Sequence, residues 1–255
     1  ALDTRWRFHL GEAAQALDPA LDDSDWQDVR LPHDWAIALP TDTAMPQAAA
    51  QGYQRRAQVG WYRRHLRLAP QPGERVRLQL DGAYRHAELW VNGTSFGCRP
   101  SGYATRIHDI TDALDPSGEQ LIAVRCDNTG DDADRWYCGA GLYRRVWLTI
   151  TGAVAIAPWG LAITTPRVAA DAADIHATVD LGNHGADAEA RVEADVLAAD
   201  GTVVAGCEPV TVAIAGDDRA SVDLAATVRE PALWSPRSPD LYRLRVRLTV
   251  DGAMA

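Results

Sequence analysis

The stretch from Asp131 to Leu148, DDADRWYCGAGLYRRVWL, brings together side chains of the types that bind sugars. A carboxylate accepts hydrogen bonds from sugar hydroxyl groups, a guanidinium donates to them, and an aromatic ring covers the apolar face of the sugar. Gly139 and Gly141 follow these side chains and allow the backbone to approach a neighbour closely. The stretch therefore predicts a substrate-binding loop formed by Asp134, Arg135, Trp136 and Tyr137.

The same stretch also fits a purely structural interpretation. Val146, Leu148 and Ile150 occur at every second position, which is the period of a half-buried β-strand. In that interpretation the residues before the strand form an ordinary turn, with Trp136 and Tyr137 in the core. The residue types alone leave both interpretations open.

A second pair with chemical potential is His33 and Asp34, in the motif LPHDWAI. An imidazole beside a carboxylate has the composition of an acid–base pair. Pro32 fixes a turn at this point, however, and an Asp in a turn commonly accepts a hydrogen bond from the local backbone. We favour this backbone role for Asp34.

The sequence shows no convincing metal site. The loop DNTGDDAD, Asp127 to Asp134, holds four acids in eight residues and has the oxygen ligands that Ca²⁺ prefers, but its spacing is not that of an EF-hand. We favour a solvated loop there, and we expect neither a metal nor a cofactor. The cysteines have no zinc-site spacing, and we expect them to be free, buried thiols. They are Cys98, Cys126, Cys138 and Cys207.

Composition narrows the range of partners. The chain has 255 residues, a formal net charge of −10, 47% hydrophobic residues and 25 arginines without a single lysine. The negative charge argues against a nucleic-acid partner, and the lack of lysine excludes Schiff-base chemistry. No apolar run approaches the roughly 20 residues of a membrane span, so we expect no membrane partner. The compartment, cytoplasm or periplasm, stays open.

The first part of the chain reads as β-structure without a helical stripe before residue 155. Residues 18–30 look like a polar surface segment with a few apolar anchors, Leu21, Trp26 and Val29. Residues 38–58 have no regular period and predict a long loop. Asn92-Gly93 is a strong hairpin signal, and Asp109–Leu114 suggests a short helical turn or cap. Strands are predicted at Trp6–Leu10, Trp61–Leu68, Val76–Leu80, Ala87–Val91 and Leu121–Cys126.

The composition changes near Pro158, after which the chain becomes rich in Ala and Val. Turns are predicted at Gly182-Asn183, Asp200-Gly201 and Gly216-Asp217, at the spacing of an all-β sandwich. Strands are predicted at Ile175–Leu181, Ala190–Leu197, Val210–Ile214, Val222–Leu224 and Tyr242–Val250. We therefore expect two domains, with residues 1–155 in the first and residues 156–255 in the second.

Six motifs, in this order along nearly the whole chain, resemble the N-terminal part of glycoside hydrolase family 2, most closely its β-galactosidase branch. They are WRFHLG (Trp6–Gly11), LPHDW (Leu31–Trp35), GWYRR (Gly60–Arg64), ELWVNG (Glu88–Gly93), RWYCGAGLYRRVWL (Arg135–Leu148) and LWSPRSPDLY (Leu233–Tyr242). The resemblance implies an all-β fold: a jelly-roll (galactose-binding-like) β-sandwich over residues 1–155, followed by an immunoglobulin-like β-sandwich over residues 156–255.

The resemblance also implies a retaining β-glycosidase that uses two glutamates, with a β-galactosidase acting on β-galactosides or other glycosides as the first expectation. In the family these glutamates lie in a C-terminal TIM barrel, which needs about 250 residues of its own. We find no catalytic pair in this chain and expect these 255 residues alone to be inactive. An acid in the family's corresponding loop contacts the sugar; Asp134 fits that position best and Arg135 is the second candidate, whereas Trp136 and Tyr137 are expected to aim the loop.

Three alternatives remain. The chain could be a stand-alone carbohydrate-binding, lectin-like module, because jelly rolls host lectins. It could belong to a β-glucuronidase or β-mannosidase of the same family. It could also serve only to brace the barrel and to build the interface of a homo-oligomer.

Overall fold

A computed structural model describes residues 1–40, 58–130 and 136–254. The chain divides into two compact units, one of residues 1–71 and 76–150 and the other of residues 72–75 and 151–255. Strands dominate both units, and the described residues contain no α-helix. The all-β prediction is confirmed. Most of the loop predicted over residues 38–58 lies outside the described residues.

The first unit is a jelly-roll β-sandwich. Its strands are β1 (Trp6–Leu10), β2 (Gln27–Val29), β3 (Val59–Arg67), β4 (Arg75–Leu80), β5 (Ala87–Val91), β6 (Thr94–Arg99), β7 (Arg106–Asp109), β8 (Glu119–Asp127) and β9 (Val146–Thr151). A six-stranded antiparallel sheet has the order β2-β1-β3-β8-β5-β6, and a three-stranded sheet has the order β7-β4-β9. Two short 3₁₀ helices, Trp35–Ala38 and Thr111–Ala113, lie between strands.

The core of this unit follows from the alternation in the sequence. Strands β4 and β5 bury every second side chain, in the strict buried–half-buried pattern that the sequence predicted. Asn92 and Gly93 have φ values of 48° and 80° and join β5 to β6, which confirms the predicted hairpin. The larger core side chains are Trp6, Phe8, Trp35, Tyr62, Leu78, Leu80, Leu89, Ile122 and Val124.

Residues 18–30 contain the predicted buried anchors Trp26 and Val29, and in addition a strand that was not predicted. Gln27–Val29 forms the short strand β2, which pairs with β1, and Trp26 is buried in a small cluster with Trp61 and Val59. A three-residue strand is too short to show a period, so the sequence pattern did not reveal it. The segment therefore closes one edge of the larger sheet.

The second unit is an immunoglobulin-like β-sandwich. Its strands are β10 (Val154–Val168), β11 (Ala172–Asn183), β12 (Ala188–Leu197), β13 (Val203–Gly206), β14 (Val210–Ile214), β15 (Arg219–Arg229), β16 (Arg243–Val250) and β17 (Ala253–Met254). One sheet has the order β10-β11-β15, and in the other β12 pairs with β16 on one side and with β13 and β14 on the other. Apolar side chains from both sheets fill the space between them.

This unit differs from the sequence prediction most clearly at β10 and at one turn, and the short strands β13 and β17 were not predicted either. Strand β10 was not predicted, because Pro158 and Gly160 interrupt its pattern; the register with β11 shifts at this point, as in a β-bulge. The turn predicted at Gly182-Asn183 is wrong, since both residues belong to β11 and the chain turns after them. The buried Asn183 amide donates to the carbonyls of residues 186, 214 and 215 and so fastens that turn.

All four cysteines are free thiols, as expected, but they are not all buried. Cys126, Cys138 and Cys207 are buried, and burial raises the pKa of Cys126 to about 12. Cys98 is exposed because it lies on β6, the edge strand of the larger sheet. Among the residues that the structure describes, no helix has the length and hydrophobicity needed to span a membrane.

Candidate functional site

The segment between β8 and β9 carries the candidate sugar-binding residues, and two of its aromatic side chains face solvent. Trp136 is 58% exposed and Tyr137 is 39% exposed. The interpretation that places both rings in the core is therefore wrong. The Trp136 indole Nε1 donates to the hydroxyl of Tyr103 (3.1 Å), and the Tyr137 hydroxyl donates to Oδ2 of Asp34 (2.5 Å). Both rings are thus exposed and held at their polar ends.

Asp34 has the backbone role that the sequence favoured. Its Oδ1 accepts from the backbone N–H of Ala36 (3.0 Å) and caps the 3₁₀ helix Trp35–Ala38. Its other oxygen is the one that holds Tyr137. One carboxylate therefore fixes both the start of the helix and the position of an exposed ring.

His33 does not form an acid–base pair with Asp34. Its Nδ1 lies 2.9 Å from the hydroxyl of Tyr62, and its backbone N–H donates to the carbonyl of Leu142 (2.9 Å). Burial lowers the pKa of His33, and the negative charge of Asp34 opposes that effect. Burial raises the pKa of Tyr62 well above its ordinary value. The half-buried His33 and the buried Tyr62 therefore form a structural contact beneath the loop.

The backbone around Gly141 joins the loop to the sandwich. Gly141 has φ +86° and exchanges two hydrogen bonds with Tyr84, of 2.9 and 2.7 Å. A Cβ at this position would lie 2.0 Å from the Tyr62 hydroxyl and 2.8 Å from the Trp35 ring. Only glycine combines this conformation with this contact, so the glycine noted in the sequence has a definite structural reason.

Tyr103 completes a row of three exposed aromatic residues, which we call the aromatic edge: Tyr103, Trp136 and Tyr137. Its ring lies 5.6 Å from the buried Tyr84 ring, edge to face, and the neighbouring Gly102 carbonyl accepts from the Tyr143 hydroxyl (2.9 Å). No periodic pattern marks Tyr103 in the sequence, because it lies in an irregular segment between β6 and β7. The structure alone brings it beside Trp136.

Asp134 and Arg135 lie outside the described residues, so their contact with a sugar remains a prediction. The second half of the acidic loop, residues 131–134, also lies outside the described residues. Asp127, which is described, accepts from the backbone and hydroxyl of Thr129 (2.9 and 2.6 Å) and from Arg125 (3.1 Å). Burial raises the pKa of Asp127, but these hydrogen bonds and the Arg125 charge outweigh it and lower the pKa. Within the described residues, no group of His, Cys, Asp and Glu side chains has the arrangement of a metal site.

The chain is similar to known glycosidases over nearly its whole length. Residues 160–254 match the family model described as "Glycosyl hydrolases family 2", and residues 32–132 match "Beta-galactosidase second all-beta domain". A β-galactosidase of Bacteroides ovatus is 36% identical over 241 residues, which are 94% of this chain and 28% of that protein. A β-glucuronidase of Bacteroides fragilis is 27% identical over 266 residues, covering 98% of this chain and 35% of that protein.

The fold agrees with these matches. The crystal structure of a glycosyl hydrolase family 2 member from Bacteroides cellulosilyticus superposes with a TM-score of 0.89 and 31% identity. The match covers 99% of this chain and 33% of that structure's chain. The chain therefore spans about a third or less of the length of the proteins that it resembles.

Proposed function

Because the chain belongs to glycosyl hydrolase family 2, we propose that it supplies the non-catalytic β-domains of a longer retaining β-glycosidase that hydrolyses terminal β-galactosides. In this proposal residues 1–155 form the jelly-roll sugar-binding domain and residues 156–255 form the immunoglobulin-like domain. Their partner is the C-terminal TIM barrel of the same polypeptide.

The observation that carries this proposal is the aromatic edge. Exposed aromatic rings are costly to leave in water, yet Trp136 and Tyr137 are fixed there by hydrogen bonds to Tyr103 and Asp34. A rigid, exposed ring next to polar groups is suited to one face of a sugar. Asp134 and Arg135 directly precede these rings in the sequence, which supports their role as the polar contacts to sugar hydroxyls.

The catalytic carboxylates are proposed to lie outside this chain. A retaining mechanism needs two carboxyl groups only about 5–5.5 Å apart, one as acid/base and one as nucleophile. At the aromatic edge, Asp34 accepts from both Ala36 and Tyr137 and is the anchor of the loop. These two hydrogen bonds account for the position of Asp34 without a catalytic role. The greater length of the related glycosidases supports a separate catalytic domain.

A β-glucuronidase is the second candidate, since one of the related proteins carries that name. A glucuronide carries a carboxylate where a galactoside has a hydroxymethyl group, and the two sugars also have opposite configurations at C4. The Arg135 guanidinium is a suitable partner for such a carboxylate. We place β-galactosidase first because a related β-galactosidase is more similar in sequence, with 36% against 27% identity.

A substrate panel tests the proposal. Nitrophenyl β-galactoside, β-glucuronide and β-mannoside would be supplied separately to the longer protein and to the 255-residue chain. We expect the longer protein to hydrolyse the galactoside fastest and the chain alone to hydrolyse none of them. Turnover by the chain alone, abolished by a point substitution within it, would contradict the placement of the catalytic carboxylates.

A calorimetric titration of the 255-residue chain with galactose and lactose separates this proposal from a stand-alone binding module. We expect little heat, because the aromatic edge forms only one wall of the sugar site. Saturable binding of the free sugar to the chain alone would favour the lectin-like alternative.

A further inference from the structure

A cavity of about 460 Å³ lies in the first unit, between the end of β6 and the first residues of β7. We call it the arginine pocket. Its described lining carries two guanidinium groups, one imidazole and two hydroxyl groups, and no carboxylate. The polar lining residues are Arg99, Ser101, Thr105, Arg106 and His108. In a chain with a formal net charge of −10, such a cationic lining is unexpected.

Arg106 is the central residue of this pocket. Its side chain is more than nine-tenths buried, with 8% exposure for the residue. Nη1 donates to the carbonyl of Ala87 (3.0 Å), whereas Nη2 is inaccessible to water and has no hydrogen-bond partner among the described residues. A buried charged donor without a partner is unfavourable, so a rotation of the guanidinium that brings Nη2 to an acceptor in the pocket would relieve this cost.

His108 lies on β7, as does Arg106. Like Nη2 of Arg106, its Nε2 is buried and has no hydrogen-bond partner among the described residues. Burial lowers the pKa of His108, and the positive charges of Arg106 and Arg99 lower it further. Glu88, a carboxylate on the adjoining strand β5, lies 3.5 Å from Arg125, with which it pairs. The positive charges of Arg99 and Arg106 therefore lie in the pocket without a counterion in its described lining.

We propose that the arginine pocket binds a tetrahedral oxyanion, either sulfate or phosphate, through the guanidinium groups of Arg106 and Arg99. Guanidinium groups form strong, charge-assisted hydrogen bonds to such anions. The hydroxyls of Ser101 and Thr105 and the His108 ring provide further donors. Ligand pockets commonly have volumes of roughly 300–1,000 Å³, so this one also has room for a sugar that carries the anion as an ester. The proposal is independent of the glycosidase activity.

The test is the thermal stability of the chain in the presence of each anion. Sodium sulfate, sodium phosphate, galactose 6-sulfate and galactose would be titrated against sodium chloride of equal ionic strength. A ligand that binds only the folded state raises the melting temperature with a saturable concentration dependence. We expect saturable stabilisation by at least one of the three anions and none by galactose.

Substitutions assign the effect to the pocket. Arg99 is exposed, so Arg99→Gln removes one cation with little risk to folding, and we expect an apparent Kd weaker by about tenfold or more. His108→Gln is a second variant. Arg30→Gln, at another exposed position of the same unit, removes an equal charge and should leave the Kd unchanged.

The outcomes are distinguishable. Tighter binding of galactose 6-sulfate than of the free anions assigns the pocket to a sugar ester, and equal or tighter binding of a free anion assigns it to the anion itself. Absence of saturable stabilisation beyond sodium chloride overturns the proposal. It is also overturned if Arg99→Gln and His108→Gln bind as the parent chain does, or if Arg30→Gln weakens binding as much as Arg99→Gln.

Discussion

The variant Gly141→Ala is expected to lower the free energy of unfolding of the first unit by about 3–5 kcal/mol, through backbone strain and overpacking together. The added Cβ meets the Tyr62 hydroxyl at 2.0 Å and the Trp35 ring at 2.8 Å, and both neighbours are buried core residues. It must also adopt a φ of +86°. Urea denaturation followed by tryptophan fluorescence measures the effect, because seven of the nine tryptophans lie in residues 1–150.

Gly97→Ala is the matched control for this prediction. Gly97 has φ +78°, but nothing lies within 4 Å of the position that a Cβ would occupy. The substitution should therefore cost only about 1–2 kcal/mol, the backbone contribution alone. The double variant Gly141→Ala/Tyr62→Phe removes the atom in closest contact and should recover part of the loss. Equal losses for Gly97→Ala and Gly141→Ala would show that the close contact beneath the loop is absent.

The second large effect is expected for Arg63→Met, with a loss of about 3–5 kcal/mol of unfolding free energy, as when one partner of a buried ion pair is removed. The Arg63 side chain is fully buried and donates to Asp23 Oδ2 (2.9 Å) and to the carbonyls of Ala16 (2.7 Å) and Asp18 (2.9 Å). Methionine replaces its apolar stem but leaves these acceptors without a donor. The same urea denaturation measures the loss.

Arg67→Met provides the comparison on the same face of β3. Arg67 pairs with Glu119, but its side chain is 89% exposed, and an exposed pair contributes only about 0–1 kcal/mol. We expect Arg67→Met to remain near the stability of the parent chain. If Arg63→Met were as mild as Arg67→Met, the buried network around Asp23 would not hold the segment before β2.

The strands with strict alternation could be predicted from the sequence, since burial of every second side chain leaves a direct signal, as in β4 and β5. The short strand β2 and the interrupted strand β10 could not, because their stability comes from pairing with neighbours rather than from their own pattern. Turn residues were informative at Asn92-Gly93 but misleading at Gly182-Asn183. There the buried amide of Asn183 bonds three carbonyls across the sheet end.

The candidate site, like the fold, could be predicted only in part from the sequence. Residue types marked the segment around Trp136 and Tyr137 as suited to a sugar, and the exposure of both rings agrees with that interpretation. The sequence did not indicate that Asp34 anchors Tyr137, since the two residues are 103 positions apart. It likewise missed Tyr103 and the arginine pocket. Such contacts depend on how distant strands pair, which a local pattern does not encode.

Kinetic analysis of Asp134→Ala in the longer glycosidase tests whether this chain supplies a sugar-contacting loop to a catalytic site formed elsewhere. Loss of a hydrogen bond to a charged group costs about 1.5–3 kcal/mol, so kcat/KM for the preferred nitrophenyl glycoside should fall by roughly 10- to 150-fold. Asp131→Ala, in the same acidic loop, is the control and should stay within about twofold of the parent enzyme. A kcat/KM for Asp134→Ala that is indistinguishable from that of Asp131→Ala would show that Asp134 makes no such contact.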